Sequence, residues 1–278
     1  MKVALVQLTS CNDPADNLRN VERLIREASA GGAKFVLTPE TTNIISSSRK
    51  QQARVLNTED EDPTLERLRE LTKELGIWLL IGSLGLKTRD SDGRFANRSF
   101  LISPDGGIVA RYDKIHMFDA DLGNGEVYRE SSGYRPGTKA TLAKTDFGTI
   151  GMSICYDMRF PDLYRQLAQA GAHILTVPAA FTVPTGKAHW EAILRARAIE
   201  NGCFVLAPTQ CGTHDWGAEP KRKTFGHSLA ISPWGEVLAD GGETEGVTFV
   251  ELDLNDVAAA RAKIPSLLHD REFEPPEV

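Results

Sequence analysis

Two amphipathic helices are predicted by the spacing of apolar residues in the first quarter of the chain. Each begins with an aspartate followed by a proline, Asp13-Pro14 and Asp62-Pro63, which suits an N-cap and the first helical position. Each ends at glycine, the first at Gly31-Gly32 and the second at Gly76. The apolar faces are formed by Leu18, Val21, Ile25 and Ala28, and by Leu65, Leu68, Leu71 and Leu75. Both helices are therefore expected to lie on a sheet.

Short apolar runs before, between and after these helices predict buried strands. They lie at residues 3–8, 35–37, 77–81, 150–154 and 174–177. A further long helix is predicted from about residue 185 to residue 201, with Gly202 after its end. Strands that alternate with helices in this way indicate the α/β class.

An internal repeat predicts two similar halves. Residues 102–110 (ISPDGGIVA) are similar to residues 231–239 (ISPWGEVLA), and each segment has the pattern of a strand, a Pro/Gly turn and a second strand. We therefore expect two sheets packed face to face, with the helices outside. No linker rich in serine and glycine divides the chain, so residues 1–278 are interpreted as a single domain.

Composition and charge exclude several classes of function. The chain has 278 residues and a net charge of -6, and its one basic cluster, Lys221-Arg222-Lys223, is interpreted as a solvated loop, so no nucleic-acid partner is expected. No apolar stretch reaches the roughly 18 residues that a membrane helix needs, so no membrane partner is expected either. Residues 1–9 have the pattern of a strand rather than of a signal peptide.

Cysteine and histidine usage predicts no metal site. The four cysteines, Cys11, Cys155, Cys203 and Cys211, form neither a disulfide framework nor a CxxC pair, and the six histidines lack zinc-site spacing. We therefore expect a reducing, cytoplasmic location. No cofactor is indicated by the sequence.

Cys155 is the first candidate for chemistry. The apolar run at residues 150–154 delivers its thiol to the end of a predicted strand, and Pro161 suits the first turn of a following helix. The carboxyl ends of strands form the binding crevices of open α/β sheets, and cysteine is a strong nucleophile near neutral pH. Taken alone, such a cysteine is more often a small buried apolar residue.

Two charged residues also follow predicted strands, and they change the interpretation of Cys155. Glu40 ends the strand that contains residues 35–37, and Lys114 ends the second strand of the first hairpin. If these strand ends share one rim, Glu40 can act as the general base for the thiol of Cys155. Lys114, together with a backbone N–H near Tyr156, can stabilise the oxyanion. The grouping predicts a hydrolase that forms a thioester and needs no histidine.

Three motifs in this order resemble those of the nitrilase superfamily of carbon–nitrogen hydrolases. They are Thr38-Pro39-Glu40, the segment YDKIHMF at residues 112–118 and the segment ICYDMRFP at residues 154–161. The resemblance spans essentially the whole chain and implies a four-layer αββα sandwich of two mixed sheets with pseudo-symmetric halves. It also implies a triad of Glu40, Lys114 and Cys155, with Glu130 as a second catalytic glutamate that positions the lysine or the substrate. Members of the superfamily commonly assemble, which implies a homo-oligomer, either a dimer or larger.

Within the superfamily, residues 181–190 and 194–201 are most similar to the branch of deaminated glutathione amidases and omega-amidases. The resemblance implies a small-molecule amide substrate with a 2-oxo acid end. Arg159 is the leading candidate to bind that carboxylate, because arginine pairs with carboxylates through two hydrogen bonds. The alternative is that Arg159 pairs with Asp157 or Glu191 and only supports its loop. Tyr156, Phe181 and Thr182 are also predicted to bind the substrate.

Several functions remain open on the sequence. Deaminated glutathione, hydrolysed to 2-oxoglutarate and cysteinylglycine, is the first substrate predicted. An omega-amidase that releases ammonia from 2-oxoglutaramate or 2-oxosuccinamate is the alternative within the same chemistry. A non-catalytic binding protein of the same fold and a redox protein that uses Cys155 as a peroxidatic thiol are alternatives of other classes.

Overall fold

Two six-stranded sheets dominate the computed structural model, which describes residues 1–123, 125–214 and 221–276. The strands are, in chain order, β1 Lys2–Gln7, β2 Phe35–Leu37, β3 Trp78–Leu86, β4 Ala96–Ile102, β5 Ile108–Asp113, β6 Asp119–Asp121, β7 Val127–Arg129, β8 Thr141–Lys144, β9 Thr149–Met152, β10 Ile174–Thr176, β11 Phe204–Ala207, β12 Cys211–His214, β13 Arg222–Phe225, β14 Leu229–Ile231, β15 Val237–Asp240 and β16 Gly246–Glu251. The α-helices are α1 Pro14–Ala30, α2 Arg49–Val55, α3 Pro63–Leu75, α4 Pro161–Gln169, α5 Val183–Asn201 and α6 Asn255–Lys263. Short 3₁₀ helices are Glu59–Glu61, Glu130–Ser132, Cys155–Arg159 and Ser266–Leu268.

The two sheets have the same internal order, which confirms the pseudo-symmetry expected from the repeat. The first runs β16-β1-β2-β3-β4-β5 and the second runs β8-β9-β10-β11-β14-β15. In each, three parallel strands are flanked by antiparallel neighbours. The repeated segments form the β4–β5 and β14–β15 hairpins, and the pairing register shifts between Leu101 and Ile102 and between Ala230 and Ile231, at equivalent places.

Alternation along β1 shows how the layers form. Val3 and Leu5 belong to the core between the two sheets, together with residues of the second sheet, α4 and α5. Ala4 and Val6 face the other way and pack with the apolar sides of α1 and α3. A strand buried on both faces needs apolar residues on both sides, as residues 3–6 of β1 have. The result is the αββα sandwich.

The predicted helix starts are present in the structure. The Asp13 carboxylate accepts hydrogen bonds from the backbone N–H of Ala15 and Asp16, and the Asp62 carboxylate accepts one from the N–H of Leu65. The third predicted helix begins at Val183 rather than near residue 185, because Pro184 occupies its first turn. Within the described part of the chain, no helix has both the length and the apolar character to cross a membrane.

Candidate active site

Glu40, Lys114 and Cys155 meet where strands of the two sheets end. Glu40 follows β2 and Lys114 follows β5 in the first sheet, whereas Cys155 follows β9 in the second. All three are buried, with exposed fractions of 4%, 2% and 7%. The Lys114 ammonium donates to Oε1 of Glu40 at 2.8 Å, and the Glu40 carboxylate lies close enough to the Cys155 thiol to raise its pKa. The structure therefore brings the three predicted residues together.

The loop that carries Glu40 depends on a close approach between backbones. A Cβ on Gly82 of β3 would lie 2.0 Å from the carbonyl oxygen of Thr38, so only glycine fits there. Thr41 adopts a positive φ of 53°, and its N–H donates a hydrogen bond to Oγ of Ser83 at 2.7 Å. This uncommon backbone turn directs Glu40 away from its strand and towards Lys114.

Glu130 is the fourth predicted catalytic residue, and it lies in the same cluster. Its Oε1 and Oε2 accept hydrogen bonds from the Lys114 ammonium at 3.0 and 2.8 Å, and Oε2 also accepts one from the Phe118 N–H at 2.6 Å. Three carboxylate oxygens of two glutamates thus surround one ammonium group.

These contacts determine the charges in the resting site. Burial acts to raise the pKa of Glu40, but the charge and hydrogen bond of Lys114 outweigh it, so the pKa is lowered and the carboxylate is ionised. Burial likewise opposes the charge of Lys114, yet Glu130 and Glu40 raise its pKa. Burial and the Glu40 charge raise the pKa of the Cys155 thiol. A neutral thiol beside an ionised carboxylate is the arrangement that general base catalysis requires.

A buried carboxylate organises the turn that holds Cys155. Cys155 has a φ of 50°, and its N–H donates to the Pro178 carbonyl at 2.9 Å. Asp157, which is fully buried, accepts from the Tyr112 hydroxyl at 2.7 Å, from the Ile154 N–H at 2.9 Å, and from His116 through its N–H at 2.9 Å and Nδ1 at 2.7 Å. His116 is thus held to Asp157 by two hydrogen bonds.

Arg159 makes neither of the ion pairs that the alternative interpretation required. Its guanidinium lies 3.2 Å from Nδ1 of His189, and 5.9 and 5.6 Å from the ring centroids of Tyr156 and Phe181. Asp157 is occupied by other donors, and Glu191 pairs with Arg195. Among the described residues, no carboxylate forms an ion pair with Arg159.

The three other predicted substrate-binding residues lie in the same region. Tyr156 packs edge-on against Phe118, with ring centroids 5.1 Å apart, and Phe181 is buried beside Trp190 at 5.0 Å. Thr182 is the N-cap residue of α5, and its hydroxyl forms a hydrogen bond with the hydroxyl of Thr185 at 2.7 Å. Phe181 and Tyr156 therefore flank Arg159, whereas Thr182 supports the start of the helix.

Arg222 corrects the interpretation of the basic cluster as a solvated loop. It begins β13, is partly buried, and donates to the Ala180 carbonyl at 2.8 Å. Its guanidinium lies 6.0 Å from the Tyr128 ring centroid and contributes to lowering the pKa of Glu40. Its Nε is buried without a hydrogen-bond partner. The sequence signal that could have indicated a partly buried Arg222 is the alternation of side chains along a strand, which places Arg222 on one face and Lys223 on the other.

Two further contacts to Glu40 were missed by the sequence analysis. The Ala180 N–H donates to Oε2 of Glu40 at 2.9 Å, and the Asn97 side chain donates to Oε1 at 2.9 Å. A backbone donor leaves no signal in a sequence. Asn97 leaves a weak sequence signal, because asparagine is uncommon in strands and Asn97 lies in β4.

Comparison with known proteins points to one family. The profile described as carbon-nitrogen hydrolase matches residues 2–262. A deaminated glutathione amidase from Yersinia enterocolitica is 39% identical over 271 residues, covering 97% of this chain and 92% of the relative. The human deaminated glutathione amidase is 38% identical over 274 residues, covering 97% and 82%.

Solved structures point the same way. The Caenorhabditis elegans NitFhit protein superposes with a TM-score of 0.88 at 37% identity, covering 97% of this chain and 65% of that chain. Saccharomyces cerevisiae Nit3, a member of branch 10 of the nitrilase superfamily, gives 0.84 at 29% identity, covering 98% and 96%. A variant of an amidase from Nesterenkonia sp. AN1, with a TM-score of 0.77 at 25% identity and coverage of 95% and 98%, has acrylamide added to its active-site cysteine.

Proposed function

Because the chain belongs to the carbon–nitrogen hydrolase family, we propose that it is an amidase that hydrolyses a 2-oxo acid amide through a thioester on Cys155. Deaminated glutathione is the proposed substrate, and 2-oxoglutarate and cysteinylglycine are the proposed products. The observation that carries the proposal is the placement of Arg159 and Arg222 near the cluster of Glu40, Lys114 and Cys155, since neither arginine forms an ion pair with a carboxylate in the described part of the chain.

The first half of the proposed reaction forms the thioester. Glu40 takes the proton of the Cys155 thiol as the sulfur attacks the amide carbonyl carbon. The negative charge that develops on the carbonyl oxygen is stabilised by the Lys114 ammonium and by the N–H of Tyr156, in the first turn of a 3₁₀ helix. Glu40 then gives the proton to the leaving nitrogen, the C–N bond breaks, and the amine departs.

The second half of the reaction cleaves the thioester. Glu40, ionised again, takes a proton from a water molecule, and the resulting hydroxide attacks the thioester carbonyl. The C–S bond breaks, the proton on Glu40 returns to the sulfur, and the 2-oxo diacid is released. Glu130 keeps the Lys114 ammonium in place through both halves.

The two arginines supply the argument for the acid end of the substrate. A guanidinium presents N–H donors in a planar fork that matches a carboxylate, and both guanidinium groups lie beside aromatic rings in a partly dry region. A carboxylate at this place would give the charge of Arg159 and Arg222 a partner. An amide without an acid end would leave both charges unpaired, at a cost in binding.

The substrate is tested by comparing deaminated glutathione with 2-oxoglutaramate. We expect a higher kcat/KM for deaminated glutathione, with cysteinylglycine and 2-oxoglutarate released in equal amounts, and no turnover by Cys155→Ala. A higher kcat/KM for 2-oxoglutaramate, with release of ammonia, would assign the protein to the omega-amidases instead. Absence of turnover on both amides would overturn the proposal.

Removal of the Arg159 guanidinium is expected to weaken substrate binding. Arg159→Ala should raise KM for deaminated glutathione about 10- to 100-fold, since a hydrogen bond between charged groups contributes ~1.5–3 kcal/mol. The change in kcat should be smaller, because Arg159 lies outside the cluster that moves the proton. Steady-state kinetics measure both constants.

Arg195→Ala is the matched control for Arg159→Ala, because Arg195 belongs to α5, the helix that Arg159 contacts through His189, but pairs with Glu191 at the surface. Its KM should equal that of the wild type. Arg222→Ala should raise KM and also lower kcat, since Arg222 affects the pKa of Glu40. If Arg159→Ala leaves KM unchanged, Arg159 does not bind the substrate carboxylate.

A further inference from the structure

Asn97 links the two glutamates of the site. Its Nδ2 donates to Oε1 of Glu40 at 2.9 Å and to Oε1 of Glu130 at 3.2 Å. The Lys114 ammonium donates to the same two oxygens, at 2.8 and 3.0 Å. Two nitrogens and two oxygens therefore alternate in a closed ring, in which every side is a hydrogen bond.

The orientation of the Asn97 amide is fixed by its neighbours. If the amide were turned over, its oxygen would face two carboxylate oxygens, and both contacts would become repulsive. In the orientation found, Oδ1 is buried and has no hydrogen-bond partner. A buried unpaired carbonyl is costly, so the position is occupied by asparagine at the expense of local stability. What the residue provides in return is its pair of N–H donors.

The ring makes the two oxygens of Glu40 unequal. Oε1 already accepts hydrogen bonds from Lys114 and from Asn97. Oε2 accepts one from the N–H of Ala180, two residues after Pro178, whose carbonyl accepts a hydrogen bond from the Cys155 N–H at 2.9 Å. A proton that binds to Oε1 must displace the hydrogen bond of Lys114 or of Asn97. Oε2 accepts a hydrogen bond from Ala180 and still has a lone pair on the side of the thiol, so the proton binds there.

We propose that Asn97 is a positioning residue that confines the transferred proton to Oε2 of Glu40. The inference rests on the proposed role of Glu40 as the base. With Asn97 in place, the proton taken from Cys155 stays next to the reacting atoms and is available to the leaving nitrogen. Without it, Oε1 loses one of its two donors, and the carboxyl group can rotate or hold the proton on the unproductive oxygen.

Asn97→Ala tests the inference through kcat and the pH profile. We expect kcat to fall about 100-fold, because general acid–base catalysis contributes ~10²–10⁴-fold and the base remains present but misaligned. KM for deaminated glutathione should stay within about twofold, since Asn97 does not enter the substrate contacts proposed above. The acidic limb of kcat/KM should move up by about one pH unit, because a lost donor favours the protonated carboxyl group.

The groups that face the Glu40 carboxylate must be the same in the variants compared. They are Lys114, Cys155 and, at longer range, Arg222 and Tyr134, with Glu130 on the far side of the ammonium. None of them is changed in Asn97→Ala, so a displaced acidic limb reports the loss of the amide. Asn97→Asp keeps the shape of the side chain but removes its N–H donors and adds a carboxyl group. We expect it to lose at least as much activity as Asn97→Ala, whereas a residue needed only for its shape would tolerate aspartate.

Asn201→Ala is the matched control for loss of a buried asparagine. Asn201 is also buried, its Oδ1 also lacks a partner, and its amide donates to the Arg197 carbonyl within α5. Its replacement should lower the unfolding midpoint and leave the pH profile unchanged. If Asn97→Ala proves unstable, Asn97→Ser, which retains a smaller polar side chain, is measured at a temperature where its circular dichroism equals that of the wild type.

The outcomes separate this inference from the proposed function. Wild-type pH profiles in Asn97→Ala and Asn97→Asp, with a loss of kcat no larger than in Asn201→Ala, would overturn the role of Asn97. If Glu40→Gln and Cys155→Ala also retain full turnover, the proposed mechanism itself is wrong. If those two variants are inactive and only the Asn97 variants behave as the wild type, the mechanism stands and the positioning role fails.

Discussion

Replacing Glu40 with glutamine is expected to lower kcat/KM for deaminated glutathione by about 10³-fold, since general base catalysis contributes ~10²–10⁴-fold. Glutamine has nearly the same shape, but it cannot take the thiol proton. Whichever way its amide turns, an N–H group meets a donor, either the Ala180 N–H or the pair formed by Lys114 and Asn97. Lys114 keeps Glu130 as a partner, so the fold should survive.

Alkylation of Cys155 by iodoacetamide checks the same prediction without the substrate. The raised pKa of the thiol means that Cys155 is protonated at neutral pH and needs Glu40 to become nucleophilic. Glu40→Gln should therefore slow alkylation at pH 7.5, and the difference should shrink as the pH rises, because loss of the Glu40 charge also lowers the pKa of the thiol. In the wild type, activity should persist down to pH values below the ordinary pKa of a glutamate and then fall, because the lowered pKa keeps Glu40 ionised.

Glu130→Gln is the control that separates the base from the charge around Lys114. It removes one negative charge from the cluster but leaves Glu40 and its contact with Cys155. We expect a smaller loss of kcat/KM than for Glu40→Gln, and nearly normal alkylation. Equal alkylation rates in the wild type and in Glu40→Gln at pH 7.5 would show that another group removes the thiol proton.

The fold could be predicted because its signals are local or repeated. Proline after an N-cap aspartate, periodic leucines and the repeated hairpin sequence each indicate one element, and the equivalent register shifts in the two hairpins show that the repeat extends to backbone detail. The end of β3 is different. The apolar run predicts a strand over residues 77–81, but β3 continues to Leu86. Gly82 and Gly85 interrupt the apolar pattern. Tertiary packing explains Gly82, because the Thr38 carbonyl leaves no room for a Cβ there, whereas a Cβ on Gly85 would lie 3.3 Å from the Tyr134 hydroxyl.

Glu40, Lys114 and Cys155 share two properties, since each follows a strand and belongs to a motif. Arg222 and Asn97 have neither property. Arg222 reaches the site because β13 pairs with β12 in a small separate sheet, a placement that depends on long-range pairing. The Asn97 contacts arise where β4 lies beside the segments that follow β2 and β5, which carry Glu40 and Lys114. Such contacts depend on the final packing of several elements, so a sequence without its structure gives little sign of them.

The second large effect is expected at Asp157, where alanine should lower the free energy of unfolding by about 3–5 kcal/mol. The Asp157 carboxylate accepts four hydrogen bonds, from Tyr112, Ile154 and two groups of His116. The Tyr112 hydroxyl and the Ile154 N–H are deeply buried, and each donor left unpaired costs ~1–3 kcal/mol. Denaturant unfolding measures the change in stability.

Tyr112→Phe isolates one of these hydrogen bonds. The Tyr112 hydroxyl donates only to Oδ2 of Asp157, and burial together with the Asp157 charge raises its pKa, so it is a donor at every pH of interest. Its removal leaves Asp157 with the Ile154 and His116 donors, so the expected loss is about 1 kcal/mol, the typical contribution of one hydrogen bond. Equal losses in Tyr112→Phe and Asp157→Ala would show that the other donors find new partners.

Asp157→Asn separates the stability of the turn from its geometry. A single amide oxygen can serve either the Ile154 side or the His116 side, and the NH₂ group then faces a backbone N–H on the other. We expect Asp157→Asn to lose less stability than Asp157→Ala. The unfavourable N–H contact nevertheless displaces the segment that holds Cys155 at a positive φ of 50°. We therefore expect kcat to fall about tenfold or more in a variant that still folds, since a small misplacement of a nucleophile can cost ~10²-fold. The Asp157 carboxylate binds Ile154, which precedes Cys155, and His116, which lies two residues after Lys114. It therefore joins the turn that carries the thiol in one sheet to the segment that carries the lysine in the other.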